Sequence, residues 1–145
     1  MASYGPSLAQ KSFRAAATLS AYRVVTPDTA LAAAFVRLIQ IPSTTFSILG
    51  VSQQSATTDQ ATPVISFGYT KVTGEASISA GALLTFVTTT GRAIALAGQV
   101  TTTINTAGAA LPKLLGIALQ NGTATDAVVE IYLNVSNVDT LLRIA

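Results

Sequence analysis

Along this chain, short runs in which apolar and β-branched residues alternate with Ser, Thr and Gln are separated by Gly, Pro, Asn and Asp. That period of two predicts strands joined by turns. Residues 74–96, GEASISAGALLTFVTTTGRAIAL, read as two strands: residues 75–79 alternate, Ala80-Gly81 breaks the run, residues 82–88 are rich in β-formers, and Thr90-Gly91-Arg92 turns again. On either side lies a copy of a second pattern, ILGVSQQSATTDQATPVISF over residues 48–67 and LLGIALQNGTATDAVVEIYL over residues 114–133. Aligned on Gly50 and Gly116 without a gap, the copies share Leu49/Leu115, Gln54/Gln120, Thr57/Thr123, Ala61/Ala127 and Ile65/Ile131. Each copy predicts an apolar strand, a polar loop and a second strand, so the chain reads as a repeated hairpin flanking a central hairpin.

The remaining segments fit the same fold class. Residues 18–25 alternate as a first strand that Pro27 closes, since proline removes a ladder donor. Residues 31–41 are compatible with an amphipathic helix carrying Leu31, Phe35 and Leu38 on one face, or with a strand; the β-like neighbours favour the strand. Residues 64–72 predict a half-buried strand with Ile65, Phe67 and Tyr69 on one face. Residues 98–110, GQVTTTINTAGAA, form a long, weakly apolar loop whose Thr102, Thr103 and Asn105 are contact candidates, because loops of that length in compact domains are commonly functional. Residues 1–17 have no sustained period and predict an extended arm, or alternatively a short helix over residues 8–17, that orders only against a partner or the domain body. The expectation is an all-β chain: an arm over residues 1–17 and a single compact β-barrel, β-tulip-like or SH3-like domain over residues 18–145.

Composition narrows the chemistry. The chain has neither Cys nor His, which removes disulfides, thiolates, the commonest general base and the usual zinc ligands. Asp126 and Glu130, placed by spacing on one face of the last strand, are too sparse for acid–base work or, with Asp139, for a metal site. No catalytic, cofactor or metal role is assigned. Only 10% of residues are charged, so solubility falls to neutral hydroxyl and amide side chains, whose burial under a neighbour costs less than burial of an ion. The net charge is +2, and Lys11, Arg14 and Arg23 precede every acid. Three cations without interleaved aromatics make a poor nucleic-acid signature and suit an acidic protein surface. The most apolar window, residues 29–41, is too short to span a membrane and contains Arg37, and the N-terminus does not read as a secretory signal; the default is an intracellular product.

The central and final hairpins carry a pattern that resembles the capsid decoration, or cement, proteins of tailed bacteriophages. The matching residues are Ile78, Ala80, Gly81, Leu83, Leu84, Thr90, Gly91, Arg92 and Ala93, then Gly116, Ile117, Ala118, Leu119, Asp126, Val128, Glu130 and Leu133, with Gly50, Val51, Ala61, Val64 and Gly68 upstream. The resemblance covers about residues 46–135. It implies a non-enzymatic virion protein, made in the host cytoplasm, that binds the outer face of an icosahedral capsid as a homotrimer and stabilises the major capsid protein lattice, with no cofactor, nucleic acid or membrane partner. Tyr4, Lys11, Phe13, Arg14 and Arg23 are then the expected capsid contacts, with Arg92, Thr102, Thr103 and Asn105 as subunit or capsid contacts. The alternatives are a carbohydrate-binding adhesion module, which calls for exposed aromatic platforms, and a β-clip-like trimeric hydrolase.

Overall fold

In the computed structural model, which describes residues 10–27, 38–40, 48–96 and 113–136, the chain forms strands β1 (Gln10–Ala15), β2 (Val24–Pro27), β3 (Leu38–Gln40), β4 (Gly50–Ser52), β5 (Ala61–Ile65), β6 (Phe67–Thr73), β7 (Leu83–Phe86), β8 (Ala93–Ala95), β9 (Leu114–Ala118) and β10 (Val128–Ser136). No helix occurs among the described residues, and the all-β expectation holds. The first five strands pair in the order β1-β3-β2-β4-β5 and return to β1 as a small closed barrel. The last five pair as β6-β10-β9-β7-β8.

These two groups are copies of one module, and the duplication reaches well beyond the two hairpins. The antiparallel register Gln10↔Ile65 to Arg14↔Ala61 between β1 and β5 recurs as Tyr69↔Tyr132 to Thr73↔Val128 between β6 and β10. Val24↔Val51 and Val25↔Gly50 recur as Leu83↔Ile117 and Leu84↔Gly116. Thr26↔Gln40 and Pro27↔Ile39 recur as Thr85↔Ile94 and Phe86↔Ala93. The parallel pair Ala15↔Ile39 has its counterpart in the parallel bridge Gly74↔Ala93, which holds β6 to β8 where the second module is otherwise open. Even the turns correspond: the Leu19↔Ala56 bridge matches Ile78↔Gly122, and left-handed Tyr22 and Asp59 match left-handed Gly81 and Asp126.

Several sequence expectations are corrected by this arrangement. Residues 75–79 are bends around one bridging residue, Ile78, because their counterpart in the first module is the Leu19 crossover and not a strand. Residues 18–25 likewise hold the Leu19 bridge and a turn at Tyr22 before β2 begins, and Pro27 lies within β2. The run 64–72 is two strands: it breaks at Ser66, and Gly68 at φ 104 re-aims the chain as it passes between modules. Ile65 stays buried while Phe67 and Tyr69 turn outward, and Thr70 and Val72 face inward. The gapless repeat alignment holds through Ala56 and Gly122; one extra residue then enters the second loop, so Ile65 corresponds to Tyr132 rather than to Ile131. Residues 10–15 of the expected arm lie extended, as β1, against β5; of residues 31–41, Leu38–Gln40 is strand and the others lie outside the described residues.

Two apolar clusters fill the modules. Ala15, Leu19, Val25, Ala56 and Val64 occupy the first, with Phe13 and Leu49 against them. The second contains Val72, Ile78, Leu84, Leu115, Val129, Ile131 and Leu133, and it also takes in Val24, Ile48, Val51 and Ile65 from the first module. The outward side of β2, β4 and β5 is therefore buried by the second module. Hydroxyls inside the fold are paired, as burial demands: Thr62 Oγ1 donates to Gln54 O at 3.0 Å, Thr85 Oγ1 to Lys113 O at 2.7 Å, and Thr70 Oγ1 accepts from Gln53 Nε2 at 2.8 Å. Part of the Thr content that composition assigned to the surface thus fastens loops to the core.

Candidate functional site

Two features are candidates for function: an ion cluster at the boundary between modules and the exposed face of the second sheet. The cluster is built by local geometry. Arg23 follows the left-handed Tyr22, which points it away from the first module, and Arg92 follows Gly91, left-handed at φ 68 in the β7–β8 turn. Backbone bonds bring the two segments together, with Val24 N donating to Gly91 O at 2.8 Å and Thr73 N to Tyr22 O at 2.9 Å. Arg92 then spans two carboxylates, Nη1 donating to Glu75 Oε2 at 3.1 Å and Nη2 pairing with Asp126 Oδ1 at 2.5 Å. Arg23 Nη2 lies 3.7 Å from the same Asp126 oxygen, and its Nη1 donates to Thr90 O at 3.3 Å. Thr90 Oγ1 donates to Glu75 Oε2 at 3.3 Å.

Burial first, and the charge of Arg92 second, lower the Arg23 pKa, while Asp126 and Glu75 work against that shift. The Arg92 pKa is raised, chiefly by its hydrogen bond to Glu75. With two cations and two carboxylates the cluster is neutral, and its geometry is that of a clamp across the module boundary. A shallow depression over it is lined by Thr18, Ser20, Arg23, Thr90 and Arg92. Asp126 and Glu130 do not share a strand face: Asp126 sits in the turn before β10 and is committed to the arginines, while Glu130 lies on β10 beside Gln120, whose Oε1 accepts from its backbone N at 3.2 Å. Among the described residues no group of three acidic, His or Cys side chains is placed to hold a metal.

The other residues singled out in the sequence scatter. Lys11 and Arg14 are exposed on β1, and Phe13 between them packs against the first cluster, anchoring the segment to its own barrel. Tyr4, Thr102, Thr103 and Asn105 lie outside the described residues.

Sequence reasoning missed the outer face of the second sheet. Tyr69, Tyr132, Ile117 and Leu83 stand directly opposite one another on the adjacent strands β6, β10, β9 and β7. Phe67, Leu119 and Val128 extend the exposed apolar area. The rings of Phe67 and Tyr69 meet that of Tyr132 edge to face, with centroids 5.8 and 5.3 Å away. The available signal was the alternation itself: Phe67, Tyr69 and Lys71 share one face, and a lysine in that phase marks it as the outer one.

No protein-family model matches the chain, and no curated protein sequence matches it. Among solved structures, the chain is similar to the N base of the head fiber gp8.5 of bacteriophage phi29, with a TM-score of 0.61 at 16% identity, over 90% of this chain and 95% of that one. At that identity the likeness is one of fold.

Proposed function

We propose that this chain is a structural protein of a phage head, a cement module that binds the outer surface of the capsid and stabilises the major capsid protein lattice as a homotrimer. The observation that carries this reading is the shared fold along nearly the full length of both chains with a phage head fiber base. The resemblance of residues 46–135 to decoration proteins points the same way from sequence, and the charge-poor surface fits a protein that is covered by neighbours. A ligand that binds only the assembled shell stabilises it by mass action, and linked copies gain avidity over one.

The adhesion alternative asks for aromatic platforms. Phe67, Tyr69 and Tyr132 do gather at the surface, but with interplanar angles of 73° and 65° they interlock and do not present a flat stacking shelf, which favours the structural reading. The test is co-sedimentation of the purified chain with phage heads assembled without it. Saturable binding, and heads that survive heating better when decorated, are expected; failure to sediment with intact heads overturns the proposal.

A further inference from the structure

The duplication supplies a comparison within one molecule. Position by position, Leu83, Ile117 and Tyr132 on the second module correspond to Val24, Val51 and Ile65 on the first. In the first module this row is closed off: Val24 and Val51 are 0% exposed and Ile65 8%, merged into the second module's apolar cluster. In the second module the same row is open, with Leu83 at 48% and Ile117 at 40% exposure, and Phe67, Tyr69, Leu119 and Val128 widen it. The outward face of β2-β4-β5 is thus an interface face of the module, satisfied within the chain once and left unsatisfied once. Contiguous apolar area of this kind on a sheet marks an interaction site.

We propose that the face formed by Leu83, Ile117, Tyr132 and Tyr69 is a self-association surface, occupied by a second copy of this chain. The precedent is the chain itself, which covers the equivalent face of the first module with its own second module. Charge on the face agrees with a like partner: Lys71 and Glu130 stand opposite each other in register across β6 and β10, so the surface carries one cation beside one anion and is complementary to itself, whereas a strongly acidic or basic partner would meet a like charge at one of them. Residue types agree as well. Where the first module has Ile65 and Gln10, the second has Tyr132 and Tyr69, and tyrosine tolerates a surface that is wet in one state and covered in another.

The experiment is light scattering and sedimentation velocity on the full chain across a concentration series, with Ile117→Lys and the double variant Ile117→Lys/Tyr132→Lys beside it, and thermal melts to establish that each variant is folded. The expected result is an oligomer for the natural sequence and, for the double variant, folded monomer at concentrations at least ten-fold higher. Tyr132→Phe, which keeps the apolar contact, should retain the oligomer. The proposal is overturned if the natural chain is monomeric at tens of micromolar, if the folded double variant keeps the parent's mass, or if hydrogen exchange shows β9 and β10 protected only when phage heads are added, which would make the shell the occupant. This surface would supply the self-association in the proposed function, and capsid binding by a monomeric variant would leave its capsid-binding part standing while removing the homotrimer, which separates the two readings.

Discussion

Gly50 and Gly116 occupy the same place in the two modules, and replacing each by alanine tests the duplication as physics. A Cβ on Gly116 would fall on the backbone carbonyl oxygen of Tyr132, and one on Gly50 would fall on that of Ile65. The obstacle is the main chain of the neighbouring strand in each case, so no rotamer change relieves it; β9 must move from β10, or β4 from β5, in the middle of a paired register. Overpacking of this kind costs about 1–3 kcal/mol or somewhat more, and the gain from restricting the unfolded chain, about 0.4–1 kcal/mol, offsets a minor part. A net loss of about 2 kcal/mol is expected from either substitution, which in a domain of this size lowers Tm by roughly 4–8 °C. Urea and thermal unfolding of Gly50→Ala and Gly116→Ala measure it, at protein concentrations low enough to hold association constant. The reasoning fails if either variant is as stable as the parent, or if one is lost and the other unaffected, since the two contacts are equivalent.

Three further outcomes follow from the same geometry. Deleting residues 1–17 removes β1 and opens the first barrel, so circular dichroism should report a loss of cooperative unfolding; a transition equal to the parent's would show β1 dispensable. Asp126→Asn keeps a side chain that tolerates φ 67 but strips both arginines of a shared partner, so Tm should fall modestly and depend less on salt than that of the parent; an unchanged salt response would remove the clamp from the account. Leu84→Ala empties a fully buried position in the second cluster and should cost about 2–5 kcal/mol in chemical denaturation, and a loss under about 1 kcal/mol would mean the site collapses freely.

How much of this was legible in the sequence depends on what each position must satisfy. The two hairpins announced themselves because Gly50 and Gly116 are held by a backbone contact that admits nothing else, and because the residues beside them, Leu49 and Leu115, each pack into the interior of their own module. Elsewhere the modules agree only in class: Leu19 with Ile78, Val25 with Leu84, Val64 with Ile131, each pair set by a requirement for bulk and not for a particular side chain. Left-handed Tyr22 and Gly81 fill one conformational need with dissimilar residues. The extra residue in the second loop shifted the remainder by one, and coincidental matches at Ala61/Ala127 and Ile65/Ile131 concealed the shift. Arg23 and Arg92 were singled out separately, but nothing in their spacing announced that Asp126 would join them, because that contact depends on how the modules dock. Phe67 and Tyr69 do share one face as the alternation predicts, but the alternation alone did not show that this face is the outer one, because the break at Ser66 and the left-handed Gly68 turn the chain over as it crosses between modules and part it from the buried Ile65.

The divergence of the two outward rows makes a prediction that burial alone decides. Val51 and Ile117 have the same strand position, an aliphatic partner on one side (Val24 or Leu83) and similar side chains, so propensity treats them alike. Their surroundings differ, since Val51 is sealed at 0% exposure and Ile117 stands at 40%. Replacing each by threonine keeps the β-branch and puts a hydroxyl where Val51 has a methyl and Ile117 an ethyl group. At Val51 the hydroxyl enters an apolar cluster sealed from water, at a cost of about 1–3 kcal/mol; at Ile117 water remains available in the monomer, and the loss should stay under about 1 kcal/mol. Melting both variants in dilute solution, then concentrating the Ile117→Thr protein, separates the contributions: the first comparison reads the intrachain interface, and a stability gap that narrows or widens with concentration reads the intermolecular one. Equal losses in dilute solution would show that the two rows sit in the same environment, and with that the argument for an unsatisfied face would end.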